Sequence, residues 1–489
     1  MKYHSTRNSK IKINFKDAVL QGIAKDGGLY VPEYFPQVDI KKLSKLSYTD
    51  LAFNILNMYL NDYTSEQLQN IINKAYRDEF PENPAPLTKA GDYHYLELYH
   101  GRTHAFKDFA LSILPLFMEE AIKDKNIKEK ILILTATSGD TGSAALYGFK
   151  DLENIDIAVL FPENGVSLIQ KLQMTTISSP NTIVIGINGN FDDAQKSVKD
   201  IFTNKEILDN IKRKNYILSS ANSINIGRLL PQIIYYFHAY NQLLKNKIIE
   251  LGEKVSFVVP TGNFGDILAG YYAKNMGLPV EKLIVASNEN KVLTEFFNSG
   301  IYDANRELHI TNSPSMDIII SSNLERLLYH KTEDTEIVNN LQNNLFLNKK
   351  YEFEDKFDEF YASFCNQEDT LSEIKNVFEK YKYLIDPHTA VAKKVADEYK
   401  LKFRPKETIV ILSTASPFKF ADIIMDQFED MERNGFILED LKIFEEQTNI
   451  KVPLDFLDLK NKTIKHKKFI NVEDILDTLM EFIGERNES

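Results

Sequence analysis

Apolar residues follow two regimes along this chain. Up to about residue 90 they recur at helical spacing. Phe15 to Ala24 keeps that period until Asp26-Gly27-Gly28, a turn signal, and Thr64 to Phe80 opens with Thr64 and Gln67 at capping-box spacing. Pro81 to Pro86 then breaks the pattern, so residues 1–90 are expected to form a small, mainly helical N-terminal domain and 91–489 the remainder. From Tyr95 onward short apolar runs alternate with helical segments. Lys130 to Ala136, Asp156 to Phe161, Thr182 to Ile187, Val255 to Pro260, Lys282 to Ala286 and Thr408 to Leu412 are rich in Ile, Val and Leu and predict buried strands. Continuous apolar strands separated by helices imply an α/β fold with largely parallel sheets covered on both faces. Their number favours two sheets in two lobes. Asn340 to Phe360, charged and Asn-rich, reads as a solvated helical surface.

At 489 residues the chain exceeds what one core fills, and its 43% hydrophobic and 26% charged residues are those of a globular protein. A net charge of -12 argues against nucleic acid or an anionic membrane as the main partner, though it leaves room for a local anion pocket. Cys365 is the single cysteine, so no intrachain disulfide forms, which fits a reducing compartment. Met1 to Phe15 lacks the apolar segment of a secretory signal, and runs such as Ile131 to Leu134 are too short to span a bilayer. The expectation is a soluble, cytoplasmic protein.

Three small-residue turns follow predicted strands, where open α/β sheets bind ligands. Thr137-Ser138-Gly139-Asp140-Thr141-Gly142 precedes a helix beginning near Ser143; its free N–H groups suit an anion, although an ordinary connection has the same pattern. Pro260-Thr261-Gly262-Asn263-Phe264-Gly265-Asp266 precedes a helix running to about Met276. It lacks the Gly-Lys-Ser/Thr end of a nucleotide P-loop and the dinucleotide glycine pattern, so a phosphate cradle for a small cofactor fits better. Ser413-Thr414-Ala415-Ser416 follows the third strand, where hydroxyls commonly just cap the next helix.

Lys107 lies in His100-Gly101-Arg102-Thr103-His104-Ala105-Phe106-Lys107-Asp108-Phe109-Ala110, expected early in a helix continuing through Leu116. Packing against Phe106, Phe109 and Ala110 would disfavour its charged form and free the amine to condense with an aldehyde. Most lysines beside an aspartate are exposed, so local sequence alone does not single it out. His100, His104 and His388 lack a third ligand at metal-site spacing, and no G-x-S-x-G supports a hydrolase triad. No metal is expected.

Taken in order, these segments resemble threonine synthase, within the pyridoxal-phosphate enzymes of the tryptophan synthase β-subunit type. The resemblance runs through most of the chain: Tyr3-His4-Ser5-Thr6-Arg7, Asp26 to Pro32, the Lys107 segment, Ser138 to Gly142, Gln170 to Thr176, Gly189-Asn190-Phe191-Asp192-Asp193, Asn222 to Arg228, Gly262 to Asp266, Ser313-Pro314-Ser315-Met316-Asp317 and Ser322-Asn323-Leu324-Glu325-Arg326. It implies a two-lobed fold, with residues 1–90 as the family's N-terminal domain, 91–489 as the catalytic domain, and a mobile lobe over roughly 130–220.

The resemblance also implies roles. Lys107 would carry pyridoxal 5′-phosphate; Gly262, Asn263, Phe264, Gly265 and Asp266 would hold its phosphate; Thr414 would sit at the pyridine nitrogen, tempering the ring as an electron sink. Ser138, Gly139, Asp140, Thr141 and Gly142 would face the substrate carboxylate and the cofactor ring, with Lys171 and Arg228 as candidate partners of the substrate phosphate. The implied reaction turns O-phospho-L-homoserine and water into L-threonine and phosphate, in a monomer or homodimer. Arg102 stands where the family often has proline, His104 where it often has leucine, and Thr414-Ala415-Ser416-Pro417 replaces a common Thr-Ala-His-Pro. Arg102 would either add a phosphate contact or occupy a surface turn. The competing readings are a related phospholyase releasing 2-oxobutyrate, a dehydratase of the same fold, which the N-terminal segment and Asp192 disfavour, and a non-catalytic scaffold.

Overall fold

The six apolar runs predicted as strands all form strands, and they sort into two sheets. The computed structural model describes residues 1–163, 165–428 and 433–488; the side chains of Phe191, Asp192, Asn487 and Glu488 lie outside that description. Two compact units result, Met1–Ile113 with Ser223–Ser416, and Leu114–Asn222 with Pro417–Ser489.

In the first unit the strand order is Phe360–Phe364, Val280–Ser287, Val255–Pro260, Thr408–Ser413, Tyr93–Glu97, Leu87–Ala90. The first five run parallel, in registers such as Val258 opposite Ile411 and Ile411 opposite Tyr95; Leu87–Ala90 is an antiparallel edge. Parallel strands end on the same side of a sheet. The loops that begin at Thr261, Asn288, Thr414 and Leu98 therefore leave from one edge, and this places the site.

The N-terminal segment is mainly helical as expected, with the Thr64–Gln67 capping box formed, but it also holds a three-stranded antiparallel sheet of Asn8–Ile13, Tyr3–Ser5 and Tyr30–Pro32. Tyr3–Ser5 and Tyr30–Pro32 are three residues long and leave no readable alternation, and Asn8–Ile13 is mostly polar, so hydrophobic period missed them. Arg7 grips Glu325 with two bonds, Nε at 3.0 Å and a terminal nitrogen at 2.8 Å. The next residue, Arg326, is wholly buried. It donates to the carbonyls of Tyr30 at 2.9 Å and Ile224 at 2.5 Å and to the Asn323 side chain. A buried guanidinium is tolerable only with such a set of acceptors.

The second unit is a wholly parallel sheet, ordered Phe469–Ile470, Thr182–Ile187, Ile155–Pro162, Lys130–Ala136, Tyr216–Ser219. Leu132, Leu134, Leu160 and Ile185 pack against Val198 and Ile201 of helix Phe191–Thr203 and against Leu479 and Ile483 of helix Ile475–Glu488. Helix Phe191–Thr203 starts from a capping box between Asn190 and Asp193. Asp156, buried in this sheet, accepts from the Tyr216 hydroxyl and from Arg486 Nε at 3.0 Å.

Two further expectations differ in detail. Asn340 to Phe360 begins in helix Thr335–Asn348 but turns into strand Lys350–Glu352. The segment after Lys107 is not one helix: Asp108–Leu111 and Leu114–Lys125 are separate, because Pro115 has no N–H to bond back into the preceding turn.

Candidate active site

Lys107 stands immediately before helix Asp108–Leu111, at its N-cap. The preceding residues pair with the chain after strand Thr408–Ser413: Phe106 N–H donates to Thr414 O at 2.8 Å, and Ser416 N–H donates to His104 O at 3.0 Å. Lys107 and buried Thr414 are thereby held in fixed register. Asp108 locks the loop, accepting from Thr103 N–H at 2.8 Å and from the Thr103 hydroxyl at 2.6 Å. His104 takes a left-handed φ of +58°, which turns the chain so that Lys107 follows. The half-buried Lys107 amine lies 4.8 Å from the Phe106 ring centroid and 3.5 Å from Ser315 Oγ.

The Gly262–Asp266 turn leaves the centre of the same sheet. Ser321 Oγ donates to Gly262 O at 2.8 Å, and the Asn263 carbonyl accepts from Asn323 N–H at 3.1 Å and Asn323 Nδ2 at 3.0 Å. With these carbonyls engaged from behind, the N–H groups of the turn and of helix Gly265–Asn275 are what it offers to a ligand, the requirement of an anion site. Gly262 is obligatory here, because a Cβ would come within 2.7 Å of Ser315 O. Phe264 holds φ +64°, a conformation costly for a side chain of this size, and its buried ring stacks on Phe297 at 5.7 Å.

Asp266 points its carboxylate away from the turn. It accepts from Tyr235 OH at 2.6 Å and Tyr236 OH at 2.9 Å. Burial pushes its carboxyl up to about 6, against the pull of the two tyrosines and of Lys107. Arg228 belongs to the same buried cluster through Tyr235, and burial pulls its guanidinium down to about 10, so it stays charged at neutral pH.

In the second unit, Thr137 Oγ1 accepts from Gly139 N–H at 2.9 Å and Gly142 N–H at 2.8 Å, shaping the Ser138–Gly142 turn. Gly139 has φ +122°, and a Cβ there would meet Gln170 at 2.4 Å. Asp140 turns inward. It accepts from Gln170 Nε2 at 2.9 Å and pairs with Lys419 Nζ at 3.2 Å. Lys171 lies over the Phe469 ring at 4.7 Å. Arg102 is an exposed surface turn paired with Glu79 at 2.6 Å.

Of the residues singled out from sequence, Lys107, Gly262–Asp266, Thr414 and Arg228 thus gather in the first unit, and Ser138–Gly142 and Lys171 in the second. Sequence reasoning missed Ser315, Asn323, Lys419 and the His388–Asp386 pair. Ser315 and Asn323 lay inside family-like segments, but nothing in their local pattern gave them a role. Among the described residues no cluster suits a metal.

A lysine near a glycine-bracketed turn, at the carboxyl edge of a parallel sheet, fits a pyridoxal-phosphate enzyme of the tryptophan synthase β-subunit type. The family model "Pyridoxal-phosphate dependent enzyme" matches residues 86–415, and "Threonine synthase N terminus" matches 2–76. The threonine synthase of Saccharomyces cerevisiae is 39% identical over 472 residues, 89% of this chain and 90% of that protein. That of Pseudomonas aeruginosa is 40% identical over 438 residues, 87% and 90% of the two chains. The structure of pyridoxal-phosphate-bound threonine synthase from Brucella melitensis superposes with a TM-score of 0.87 at 36% identity, covering both chains fully. The chain belongs to the threonine synthase family, and its cofactor is pyridoxal 5′-phosphate.

Proposed function

We propose that this protein is a threonine synthase, converting O-phospho-L-homoserine and water to L-threonine and phosphate. The observation that carries this reading is the pairing of a half-buried Lys107 amine with the Gly262–Asp266 cradle across Ser315, in a chain that spans 90% of its yeast relative.

The residues fit the cofactor. Gly262, without a Cβ, lets the turn pack against the Ser315 carbonyl, and the carbonyls of Gly262 and Asn263 are already engaged, which leaves the N–H groups of the turn for an anion. Lys107 would hold the aldehyde carbon, the backbone of Gly262–Asp266 the phosphate, and Thr414 the pyridine nitrogen. Bound in this way, pyridoxal phosphate supplies an electron sink for charge that develops on the substrate carbons.

The Lys107 amine would be the base that removes the substrate's Cα proton and would carry protons to and from Cβ and Cγ. Asp266 contributes to the cradle through its N–H, while its carboxylate oxygen Oδ1 takes the hydroxyls of Tyr235 and Tyr236. Asp140 is paired with Lys419, so a substrate carboxylate would be received by the N–H groups of Ser138–Gly142 and not by that side chain. Arg228 and Lys171 are the cations proposed for the substrate phosphate. In this reading the protein acts in the cytoplasm on a small molecule; among the described residues no helix is long and apolar enough to cross a membrane.

A second reading stays in the test because Threonine synthase-like 1 of Homo sapiens is also 40% identical, although this chain spans only 58% of that protein. A phospholyase would release phosphate and ammonia with 2-oxobutyrate. Incubation with O-phospho-L-homoserine and product analysis separates the two: equal amounts of threonine and phosphate are expected, and 2-oxobutyrate in place of threonine refutes the proposal. Lys107→Ala should lose turnover together with the visible absorbance near about 410–430 nm given by a lysine-bound cofactor.

A further inference from the structure

Ser315 meets both halves of the proposed cofactor site. It sits on the short 3-10 turn Pro314–Met316, whose flanks are pinned by one buried network. Asn288 Nδ2 donates to Asp317 Oδ1 at 2.7 Å and to Ser313 Oγ at 3.0 Å, and Thr311 donates to Asp317 through its hydroxyl at 2.7 Å and its N–H at 2.9 Å. Asn288 follows strand Val280–Ser287, so this turn is anchored to the same sheet edge as Lys107 and Gly262.

A second anchor holds Ser315 itself. Its N–H donates to His388 Nε2 at 3.2 Å, which makes Nε2 the acceptor and leaves the ring proton on Nδ1, donated to Asp386 Oδ1 at 2.7 Å. Asp386 is wholly buried and also takes the Thr389 hydroxyl, and Thr389 contacts Ser413 beside Thr414 at 3.1 Å. Such an orienting pair behind a hydrogen-bonding group fixes its direction. The Ser315 carbonyl closes against Gly262, and its hydroxyl accepts from Lys107 Nζ at 3.5 Å.

We propose that Ser315 is a positioning residue for Lys107: its hydroxyl aims the lysine nitrogen, and His388 and Asp386 hold the Ser315 backbone that presents it. This rests on the reading of Lys107 as the cofactor-bearing lysine. An oxygen that accepts from the lysine nitrogen favours its protonated form and restricts the amine to one direction, which a proton-carrying group needs. Removing it should therefore change the titration of the lysine-bound chromophore as well as the rate. Titratable groups around this pair include Asp266, which acts on Lys107, and His388, whose ring stands behind Ser315. Both are common to wild type and variant, so the difference between them isolates the hydroxyl.

The test uses holoenzyme of wild type, Ser315→Ala, Ser315→Gly, Ser315→Thr and Lys107→Ala. The visible band is followed from about pH 6 to about pH 10, with kcat per bound cofactor and KM for O-phospho-L-homoserine measured alongside. Expected for Ser315→Ala is a band that titrates at lower pH and a kcat lower by roughly tenfold or more, the scale of a charge-assisted hydrogen bond, with KM little changed. Ser315→Thr restores both. Titration curves that superimpose for wild type and Ser315→Ala, two flat lines included, overturn the proposal, as does an unchanged kcat per bound cofactor. Loss of the band in both Ser315→Ala and Ser315→Gly at saturating cofactor overturns it too, because the residue then serves cofactor retention. A Lys107→Ala protein that keeps the wild-type band sinks the Lys107 reading itself, whatever the Ser315 variants do.

Discussion

The wholly buried ammonium of Lys419 lies 3.2 Å from an Asp140 carboxylate oxygen, the same oxygen that Gln170 contacts at 2.9 Å. Lys419 also donates to Gln173 at 2.9 Å, and its carbonyl accepts the Ser167 hydroxyl at 2.7 Å. One cation thus ties the Ser138–Gly142 turn to helix Leu168–Thr175. Lys419→Met would strand the Asp140 charge in the interior, at a cost on the order of 3–5 kcal/mol. The expected outcome is a marked fall in melting temperature, at least half recovered in the Lys419→Met/Asp140→Asn double variant. A double variant no more stable than the single one would mean that the pair does not hold the turn.

Gly262→Ala places a Cβ within 2.7 Å of a backbone oxygen, Ser315 O, which cannot swing aside as a flexible side chain would. Overpacking of this kind costs about 1–3 kcal/mol. Since the strain falls on the proposed cradle, cofactor affinity should also drop, by about tenfold to a hundredfold. Titration of the apoprotein with pyridoxal phosphate, read by absorbance, checks this; wild-type affinity would place the phosphate elsewhere.

Asp266 gives a pH signature in the cofactor-free protein. Its carboxyl is raised from 3.8 to about 6 by burial, so between those values the folded chain binds a proton that the unfolded chain has released. Stability contributed by this group is full below the lower value and is lost as pH rises through about 6. Asp266→Asn lacks the transition. Its melting temperature relative to wild type should therefore rise between about pH 4 and about pH 6 and level off above. A constant offset across that window would show that Asp266 does not titrate there.

Cys365 is buried, with Sγ 3.3 Å from Thr370 Oγ1, and burial pushes its thiol up to about 12. A thiol held protonated and shielded is a poor nucleophile. The native protein should give no fast reaction with a disulfide reagent near neutral pH and one equivalent after denaturation. Rapid labelling of the folded chain would contradict the packing around Cys365, just beyond strand Phe360–Phe364.

The six predicted strands were legible because each is rich in Ile, Val or Leu, a pattern that survives without knowledge of its neighbours; Tyr93–Glu97 and Phe360–Phe364, in the same sheet, have no such run and were not predicted. The Gly262 and Gly139 turns were legible for a related reason: both need a residue without a Cβ, and the structure shows what a Cβ would strike. Lys107 was visible only through the resemblance, since its local surroundings match those of many surface lysines. His388 was weighed as a metal ligand and set aside, yet its partner is a backbone N–H contributed 73 positions earlier. Lys419 drew no attention, because its burial depends on Asp140 and Gln173, far away in the sequence. Period and composition report what a residue is next to along the chain. They are silent on pairings across the fold, and the polar side of this site is built from those.

The guanidinium of Arg326 has its acceptors on Tyr30, Ile224 and Asn323, and Asn323 in turn grips the carbonyl of Asn263. The Tyr30 carbonyl is therefore the far end of a relay, through Arg326 and Asn323, that reaches the backbone of the proposed cradle. A gene trimmed to residues 86–415 would take away the Tyr30 acceptor and leave this interior cation with Ile224 and Asn323 alone of the three.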